Sequence, residues 1–585
     1  MNQPQDTPVD IAKKLGEQLA IARNLYARGE LEKSAVLAHG ILTQLPDHQG
    51  ALHVLTMINR DTGHLDAAEQ MLKRLEALTG AKNPDVLYEW GVLHYYRGEP
   101  IKAETRLREL LAKVPNHGNG HMVLGRIYDR LGQLGRADIH LRRALESRPN
   151  DETICKDLAG INERLGLFDT ASRFARLAYN NNPKYIDGIV MWAKVEERRG
   201  DLAEAERLIE YARSLAPEQS LIALVHSLIQ RRKGDYEQAL KTLEAADFSR
   251  VNLMAQAQAW QGRGFCLERL GRFDAAFAAI SRMSDINRMP PINRNYPEGE
   301  MKEQFSKLKQ LWASAEQDKL PTVKVDSSEW PTPVFILGFP RSGTTMVEQI
   351  LSSHRDVLAG DETHALDQAL GRMSGSGSQS SISQPSERLF GAEGGKYATA
   401  LANQYMGQVR RQAILEPDYA FFTDKTPLNE IHLGLIHSVL PEAPMVHLVR
   451  HPLNVVLSSF FNDVRHGRNF ATRLETTAAH YAHTMDMVET YCERLDMRYL
   501  RIRYEDVVND LEGNARQIID FIGLPWDERC LDFHENKRHV RTASANQVKE
   551  KLYTRSLERY KPFLKQLEPI IPTLEPYISR LGYTI

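Results

Sequence analysis

The stretch TPVFILGFPRSGTTMVEQIL, residues 332–351, decides the fold of the C-terminal half of this 585-residue chain. Val334–Phe339 is an apolar run of strand length, and the segment from Gly338 to Gly343 follows it as a loop. From Thr345 onward the apolar residues have helical spacing. A strand, a glycine loop and a helix in this order are typical of a phosphate-binding loop, in which backbone N–H groups face an anion.

The loop has the G-x-x-x-x-G spacing of nucleotide hydrolases but lacks their lysine, because Thr344 occupies that position. Since the lysine reaches the β- and γ-phosphates of a triphosphate, hydrolysis of ATP or GTP is the weaker interpretation. Arg341 supplies the positive charge instead, and Ser342, Thr344 and Thr345 supply hydroxyl groups. Short apolar runs alternate with helical patterns through residues 331–585, which predicts an α/β domain with a parallel central sheet.

An internal repeat fills about residues 11–285, where glycines recur at steps of 34, 35, 34, 34, 34, 34 and 37 residues. A small residue follows each glycine by five positions, and proline follows five of them by seventeen. A helical hairpin explains this, since glycine permits the turn, the small residue permits close packing and proline ends the second helix. The glycines are Gly29, Gly63, Gly98, Gly132, Gly166, Gly200, Gly234 and Gly271; the small residues are Ser34, Ala68, Ala103, Ala137, Ala171, Ala205, Ala239 and Ala276; the prolines are Pro46, Pro115, Pro149, Pro183 and Pro217.

This period resembles the tetratricopeptide repeat, and we expect about eight units stacked into a superhelix. Such arrays bind peptides or proteins; the alternative is that this one only supports the C-terminal half or forms a homodimer. Residues 286–330 are expected to be a linker with a connecting helix, and residues 331–585 the second domain. The predicted fold class is therefore α + α/β.

The composition excludes several classes of protein. Lys+Arg is 74 and Asp+Glu is 76, so a broad basic surface for nucleic acid is not expected and anion binding is confined to a pocket. The four cysteines are far apart and none forms C-x-x-C, which argues against a disulfide framework and for a reducing compartment. No apolar segment approaches the ~18 residues of a membrane span, so a cytoplasmic protein without a membrane partner is expected.

Pro444–Val449 is predicted to be a strand that ends at Arg450, with a helix after it. A guanidinium there can bind a phosphate in bidentate fashion. Ser458 lies eight residues later and can reach the same anion if the chain folds over it, and Ser459 is an alternative contact.

Two further strand ends carry candidate residues. Tyr419–Pro427 is predicted to be a strand ending in a polar turn, which puts Lys425 where α/β active sites lie. Asp424 is expected to pair with Lys425 and hold its orientation. A third strand, Arg498–Val507, contains Tyr504, and an aromatic ring there can stack on a base.

The sequence PRSGTT, residues 340–345, after a strand resembles the 5′-phosphosulfate loop of sulfotransferases that use 3′-phosphoadenosine 5′-phosphosulfate. The chain is similar to the protein-tyrosine sulfotransferase branch and to bacterial proteins that join tetratricopeptide repeats to such a domain, over about residues 333–583. The resemblance implies transfer of a sulfuryl group to an acceptor hydroxyl, such as a protein tyrosine, without a metal. A saccharide or a small molecule is the alternative acceptor.

The resemblance also implies roles for single residues. Glu362 in the segment Gly360-Asp361-Glu362-Thr363 matches the catalytic base, and Lys425 and Arg341 match the cations that contact the transferred group. The implied residues that bind the co-substrate are Arg341, Ser342, Gly343, Thr344 and Thr345 at the 5′-phosphosulfate, Arg450 and Ser458 at the 3′-phosphate, Tyr504 near the adenine, and Ser544 in a closing loop with Lys549, Lys551 and Arg555. Asn462 departs from the tyrosine-sulfating enzymes, where an arginine is expected.

Two other functions stay open from the residues alone. One is a P-loop kinase-like enzyme, for which no magnesium-binding aspartate can be assigned. The other is a tetratricopeptide scaffold whose second domain is inactive. Weaker features are His480 and His483, three residues apart, as a metal site, and the Gly/Ser-rich segment 373–386 as a lid or an inert insertion.

Overall fold

The structure is a computed structural model that describes residues 8–290, 292–321, 323, 331–374, 381–411, 419–464, 469–533 and 557–585. It divides into two compact units, residues 1–225 and residues 226–585. None of the helices in these described ranges combines the length and apolarity needed to cross a bilayer.

The first unit is built from helices in which each packs against the next along the chain. In every pair after the first, the first helix is more deeply buried than the second, whose outer side carries the charged residues. The helices are α1 (Pro8–Ala27), α2 (Leu31–Gln44), α3 (Gln49–Asp61), α4 (Leu65–Thr79), α5 (Pro84–Tyr96), α6 (Pro100–Lys113), α7 (Gly118–Arg130), α8 (Leu134–Ser147), α9 (Glu152–Arg164), α10 (Phe168–Asn181), α11 (Ile186–Arg199) and α12 (Leu202–Leu215), with α13 (Ser220–Lys233) crossing into the second unit.

The repeat pattern is confirmed at every glycine. All eight repeat glycines have φ between 72° and 89°, the left-handed region that ends the first helix of a hairpin. All eight small residues five positions later are fully buried, as close packing of the two helices requires. The five prolines each stand two residues after the last residue of a second helix, because a residue that precedes proline is driven out of the helical region.

The second unit begins with helices and continues into a sheet. The strands are β1 (Thr332–Leu337), β2 (Val357–Leu358), β3 (Phe421–Asp424), β4 (Met445–Val449) and β5 (Tyr499–Arg503). The helices are α14 (Tyr236–Ala245), α15 (Leu253–Arg269), α16 (Phe273–Arg288), α17 (Glu298–Ala313), α18 (Thr344–Ser352), α19 (Ala365–Ser374), α20 (Gln384–Leu389), α21 (Gly394–Arg411), α22 (Leu433–Val439), α23 (Pro452–Phe461), α24 (Leu474–Arg494), α25 (Tyr504–Asn509), α26 (Leu511–Ile522), α27 (Leu564–Leu567) and α28 (Ile571–Arg580).

The five strands form one parallel sheet in the order β2-β3-β1-β4-β5, which confirms the predicted parallel sheet. Val334 on β1 pairs with Thr423, and Ile336 pairs with Val446. The central strands β3, β1 and β4 are buried along almost their whole length, because helices cover both faces of the sheet. The chain turns to one side after β1 and reaches the other side with β4, so the topological switch point, where open α/β sheets bind ligands, lies between these two strands.

The helices α15 and α16 pack against the sheet-containing part of the same unit. Gln261 donates to the carbonyl of Phe461 at 3.1 Å, and Phe277 contacts the ring of Phe460 with centroids 5.7 Å apart. Beyond α16, Arg294 Nη1 donates to both carboxylate oxygens of Asp463, at 2.7 and 2.6 Å. These contacts fix the C-terminal end of α23, the helix that carries Ser458.

Candidate active site

The five parallel strands end at one edge of the sheet, and a candidate residue follows each of them. Arg341 lies in the loop after β1, Glu362 in the loop after β2, and Lys425 is the first residue after β3. Arg450 is the first residue after β4, and Tyr504 is the first after β5. Residues 163 positions apart in sequence are therefore brought to one edge, because parallel strands put all their carboxyl ends on the same side.

The glycine loop is tightly packed. A Cβ on Gly338 would lie 2.7 Å from the carbonyl oxygen of Leu448 and against the Ser342 hydroxyl, and a Cβ on Gly343 would lie 2.5 Å from the ring of Tyr504. Between them Arg341 adopts φ 77°, a left-handed conformation that is costly for a residue with a side chain. The loop therefore holds its arginine in a strained backbone.

The loop leads directly into α18. Gly343 is the N-cap of this helix, and no side chain caps it, so its first backbone N–H groups are not satisfied by a capping residue. Thr344 and Thr345 are the first two helical residues, and Thr345 is buried. Ser342 is also buried, and its hydroxyl has no hydrogen-bond partner among the residues that the structure describes.

Three residues predicted to bind phosphate groups meet around this loop. Arg341 Nε donates to Ser458 Oγ at 3.2 Å, and Arg450 Nη1 donates to the Arg341 carbonyl at 3.2 Å. The Arg450 guanidinium lies over the Tyr504 ring, 4.6 Å from its centroid. We call Arg341, Arg450, Ser458 and Tyr504 the arginine cluster.

Two neighbours of the arginine cluster have structural partners. Ser459 donates to the carbonyl of Pro340 at 3.0 Å, so this buried serine holds the loop. Asn462 donates through its side chain to the carbonyl of Ser458 at 2.8 Å and forms the C-cap of α23.

A second cluster lies at the ends of β2 and β3. Lys425 Nζ is 3.5 Å from Glu348 Oε2 and 3.4 Å from Glu362 Oε1, so the lysine lies between two carboxylates. Lys425 and Glu348 are buried, whereas the Glu362 side chain is 24% exposed. We call Glu348, Glu362 and Lys425 the lysine cluster, and Glu362 is its solvent-accessible member.

Glu348 on α18 was not singled out from the sequence. Its Oε1 accepts from the Asp361 backbone N–H at 3.0 Å and from the Thr423 hydroxyl at 2.8 Å. It thereby ties α18 to the loop that carries Glu362 and to β3. The signal for it in the sequence is a charged residue flanked by Met346 and Val347 on one side and by Ile350 and Leu351 on the other.

The expected pairing of Asp424 with Lys425 is wrong. Asp424 is the last residue of β3, and successive side chains of a strand point to opposite faces. Its carboxylate instead accepts from the hydroxyls of Thr363 at 2.8 Å, Tyr405 at 3.0 Å and Thr426 at 2.9 Å. Complete burial raises the pKa of Asp424, against these hydrogen bonds.

A further carboxyl group lies beside the glycine loop. Glu430 is fully buried, and burial raises its pKa to about 7, although the backbone amides of Glu430 itself, Gly338 and Leu428 favour the ionised form. Among the described residues, neither of its carboxylate oxygens has a side-chain cation as partner.

Some residues that the sequence singles out belong to neither cluster. Ser544, Lys549, Lys551 and Arg555 lie outside the described residues, as do residues 375–380 of the Gly/Ser-rich segment. His480 stacks on Phe470 and lies 2.9 Å from the Tyr296 hydroxyl, which places it in the core. Among the described residues no group of three or more His, Cys, Asp or Glu side chains is placed to hold a metal ion.

Comparison with protein families identifies the two parts of the chain. Residues 333–528 match the model of the sulfotransferase family, and this stretch contains both clusters. The second unit carries a sulfotransferase-family domain. Residues 88–152 and 190–252 match a tetratricopeptide repeat model.

Curated relatives share only parts of the chain. An uncharacterized protein of Aquifex aeolicus is 29% identical over 249 residues, which cover 40% of this chain and 31% of that protein. A putative protein-tyrosine sulfotransferase of Caenorhabditis briggsae is 22% identical over 260 residues, covering 43% of this chain and 88% of that protein. Among solved structures, PilW, a type IV pilus biogenesis factor, is similar to part of this chain, with 16% sequence identity and a TM-score of 0.33. The match covers 36% of this chain and 97% of the PilW chain.

The sulfotransferase-family domain presents the donor groups that a phosphosulfate requires. The buried Ser342 hydroxyl without a partner lies at an uncapped helix N-terminus, where an anion is favoured. Gly338 and Gly343 leave no room for a Cβ, and Arg341 and Arg450 bring two positive charges to the same loop. These residues fit a phosphosulfate anion bound at the loop.

Proposed function

We propose that this protein transfers a sulfuryl group from 3′-phosphoadenosine 5′-phosphosulfate to an acceptor hydroxyl, with a protein tyrosine as the first candidate. The observation that carries the proposal is the meeting of the arginine cluster and the lysine cluster at one edge of the sheet. One cluster supplies cations for phosphate and sulfate oxygens, and the other supplies a base beside a lysine.

The arginine cluster binds and orients the co-substrate in this proposal. Arg341, Ser342, Gly343, Thr344 and Thr345 hold the 5′ end through side chains and helix N–H groups. Arg450 and Ser458 hold the 3′-phosphate, Tyr504 lies beside the base, and Ser544 belongs to the same set. When bound, the co-substrate supplies the sulfuryl group, whose bond to a phosphate oxygen breaks as the bond to the acceptor oxygen forms.

The lysine cluster performs the proton transfer and the charge stabilisation. Glu362 is the exposed carboxylate of the cluster and takes the proton of the acceptor hydroxyl. Lys425, 3.4 Å from it, stabilises negative charge on the transferred group, and Glu348 fixes the lysine from the buried side. No step needs a metal ion, because the cations of both clusters neutralise the developing charge.

The repeat array is proposed to bind the acceptor or a partner protein. Tetratricopeptide repeats supply extended surfaces for peptides, which agrees with a protein acceptor. The chain spans only 31% of its Aquifex aeolicus relative, so the whole protein's substrates and partners rest on this proposal.

The test is transfer of labelled sulfate from 3′-phosphoadenosine 5′-phosphosulfate into a lysate of the source cells. The parent protein is expected to label acceptors, and Glu362→Gln and Arg341→Gln to lose at least about 100-fold of the rate. Glu475→Gln, a change of an exposed glutamate on α24, is the matched control and keeps full activity. Equal labelling by the site variants contradicts the assigned roles, and no labelling by the parent favours a scaffold with an inactive domain.

A calorimetric titration separates the co-substrate from the kinase-like alternative. The product 3′-phosphoadenosine 5′-phosphate is expected to bind more tightly than ATP with magnesium, because the lysine of a triphosphate loop is absent. Tighter binding of ATP with magnesium contradicts the proposal.

A further inference from the structure

A separate cavity lies in the first unit, between the second helices of two consecutive repeats, α6 and α8, with α7 between them. Its volume is about 430 Å³, within the usual range of small-molecule sites. Leu111, Leu124, Ile139 and Tyr128 form its apolar walls, and the Ile139 side chain is 54% exposed. The cavity is independent of the proposed sulfuryl transfer, since every residue that lines it belongs to the repeats.

Two imidazole rings meet in the wall of this cavity. His121 Nε2 lies 2.8 Å from the carbonyl oxygen of Pro115, and His121 Nδ1 lies 2.9 Å from His140 Nδ1. A carbonyl only accepts, so His121 carries its proton on Nε2 and its Nδ1 is an acceptor while it is neutral. His140 must then donate from Nδ1, which leaves His140 Nε2 as the one ring nitrogen of the pair that neither carries a proton nor accepts one within the pair.

This arrangement fixes where the next proton goes. Two protons cannot lie between the Nδ1 atoms at 2.9 Å, so the pair takes up a single further proton, and it must rest on His140 Nε2. In the absence of a ligand, burial and the neighbouring cations lower the pKa of His140 to about 4. The pair is therefore neutral at pH 7.

The groups around the pair are mainly cations. Arg143 is exposed and forms no ion pair among the described residues, whereas Arg108 lies 3.6 Å from Glu104, which also accepts from the Tyr128 hydroxyl at 2.9 Å. The charged and titratable groups that face the two rings are Glu104 and Arg108 on α6, His117 beside α7, and Arg136, Arg143 and Glu146 on α8. The cavity thus combines apolar walls with an excess of positive charge.

We propose that this cavity binds a sulfate or phosphate ester carried on an apolar group about the size of one ring, and that binding adds one proton to His140. The anion fits the arginines, and the ring fits the apolar walls, which a bare sulfate ion would leave empty. The bound anion favours the protonated ring, because opposite charge stabilises the charged form. Affinity therefore rises as the pH falls.

The test is calorimetric titration of the full chain with phenyl sulfate between pH 5.5 and pH 8. This probe stays a monoanion over the whole range, so any pH dependence comes from the protein. In the parent protein we expect affinity to strengthen by up to about tenfold per pH unit lowered, with uptake of one proton. His140→Gln abolishes the pH dependence, and Arg143→Gln weakens binding at least about tenfold.

Arg142→Gln is the matched control, because Arg142 is the neighbour of Arg143 but pairs with Asp138 at 2.6 Å and does not line the cavity. It is expected to bind within about twofold of the parent. Binding at the arginine cluster of the other unit is distinguished by Arg450→Gln, which removes that second site and leaves the repeat site intact.

Two further outcomes overturn the proposal, and two others distinguish the source of the ester. Parent-like binding by both His140→Gln and Arg143→Gln overturns it, and so does inorganic sulfate that binds as tightly as phenyl sulfate. Circular dichroism of each variant checks that the repeats are folded, and the exposed Arg143 keeps the test valid if His140→Gln unfolds. The source of the ester is tested with a peptide that contains a sulfated tyrosine. If the peptide binds more tightly than phenyl sulfate, the ligand is an ester carried on a protein; if the two bind equally, it is a small molecule.

Discussion

The repeats and the sulfotransferase-family domain both contain residues with positive φ, but they place different residue types there. Each repeat turn uses a glycine at positive φ. An added Cβ would meet no atom within 4 Å at Gly29, Gly63, Gly98, Gly132, Gly200, Gly234 or Gly271. Around the sheet of the second unit, by contrast, several left-handed positions are occupied by residues with side chains, beside the loop glycines Gly338 and Gly343. Those at the sheet edge are Arg341, Asp361, His364 and Leu428. Within the described part of the first unit no residue other than glycine has positive φ.

The two regions also treat buried carboxylates differently. In the repeats, Glu89 lies between Arg60 at 2.5 Å and His53 at 3.0 Å, so its charge is neutralised. In the second unit, Asp424 accepts only from hydroxyls, and Glu430 has no basic partner among the described residues. The comparison teaches that the repeats use glycine and an ion pair at such positions, whereas the second domain keeps a strained arginine and two buried acids without a basic partner beside its candidate site.

The largest expected effect comes from Arg341→Gly. Glycine relieves a left-handed strain of about 1–2 kcal/mol, offset by 0.5–1 kcal/mol of chain entropy, so the melting temperature stays the same or rises. The sulfuryl-transfer rate is expected to fall about 10²–10³-fold, because the cation is lost. Arg341→Gln, which keeps the strain, is the control, and it should lose the same rate without any gain in stability. An Arg341→Gly protein within tenfold of the parent rate would break the comparison.

The next effect is the pH dependence of stability at Glu430. Its folded pKa of about 7 exceeds the ordinary value of 4.5, so between these values the folded state binds more protons than the unfolded state. The stability that this group contributes is therefore complete below pH 4.5 and is lost as the pH rises through 7, at up to about 1.4 kcal/mol per pH unit. Glu430→Gln is expected to gain up to about 3 kcal/mol relative to the parent between pH 4.5 and pH 8, measured by urea unfolding.

Glu89→Gln in the repeats is the counterpart of Glu430→Gln. It removes one partner of a buried ion pair with Arg60 and should lower the free energy of unfolding by about 3 kcal/mol at pH 7. If both glutamine variants shift the free energy of unfolding in the same direction at pH 8, buried carboxylates affect stability alike in the two regions, which contradicts the comparison.

A smaller difference is expected between two glycines with similar backbone. Gly132→Ala in a repeat turn should cost about 1–2 kcal/mol, because only the positive φ opposes it. Gly343→Ala should cost about 3 kcal/mol, since its Cβ also overlaps the Tyr504 ring. Adding Tyr504→Ala to Gly343→Ala should recover the steric part only. Equal costs for the two single substitutions, measured by urea unfolding, would show that crowding at the loop is unimportant.

The smallest effect is expected for Glu348→Gln. The amide oxygen still accepts from Asp361 and Thr423, so the loop stays in place, but Lys425 loses one of its two carboxylate partners. The transfer rate is expected to fall about tenfold, with an unchanged KM for the co-substrate. A rise in that KM as large as the fall in rate would assign Glu348 to binding instead of positioning.

Much of the fold can be predicted from the sequence, because the patterns that specify it are local. The 34-residue spacing of glycine, small residue and proline placed the helix ends, and the parallel sheet followed from strand-length apolar runs that alternate with helices. The pairing of Asp424 was predicted wrongly, because sequence proximity to Lys425 does not tell which face of a strand a side chain occupies. Glu348 was missed, because its partners come from two other segments of the chain.

The sequence by itself determined the repeat array, the glycine loop and the charged residues at strand ends. These depend on backbone preferences and on periodicity, which act over a few residues. Only the tertiary structure decided which of those residues meet, since Arg341 reaches Ser458 across 117 positions and Lys425 lies between two glutamates from separate segments. The same holds for the imidazole pair of the repeats, where His121 and His140 come together from neighbouring helices. Contacts of this kind arise from the register of strands and the packing of helices, which no single stretch of the chain contains.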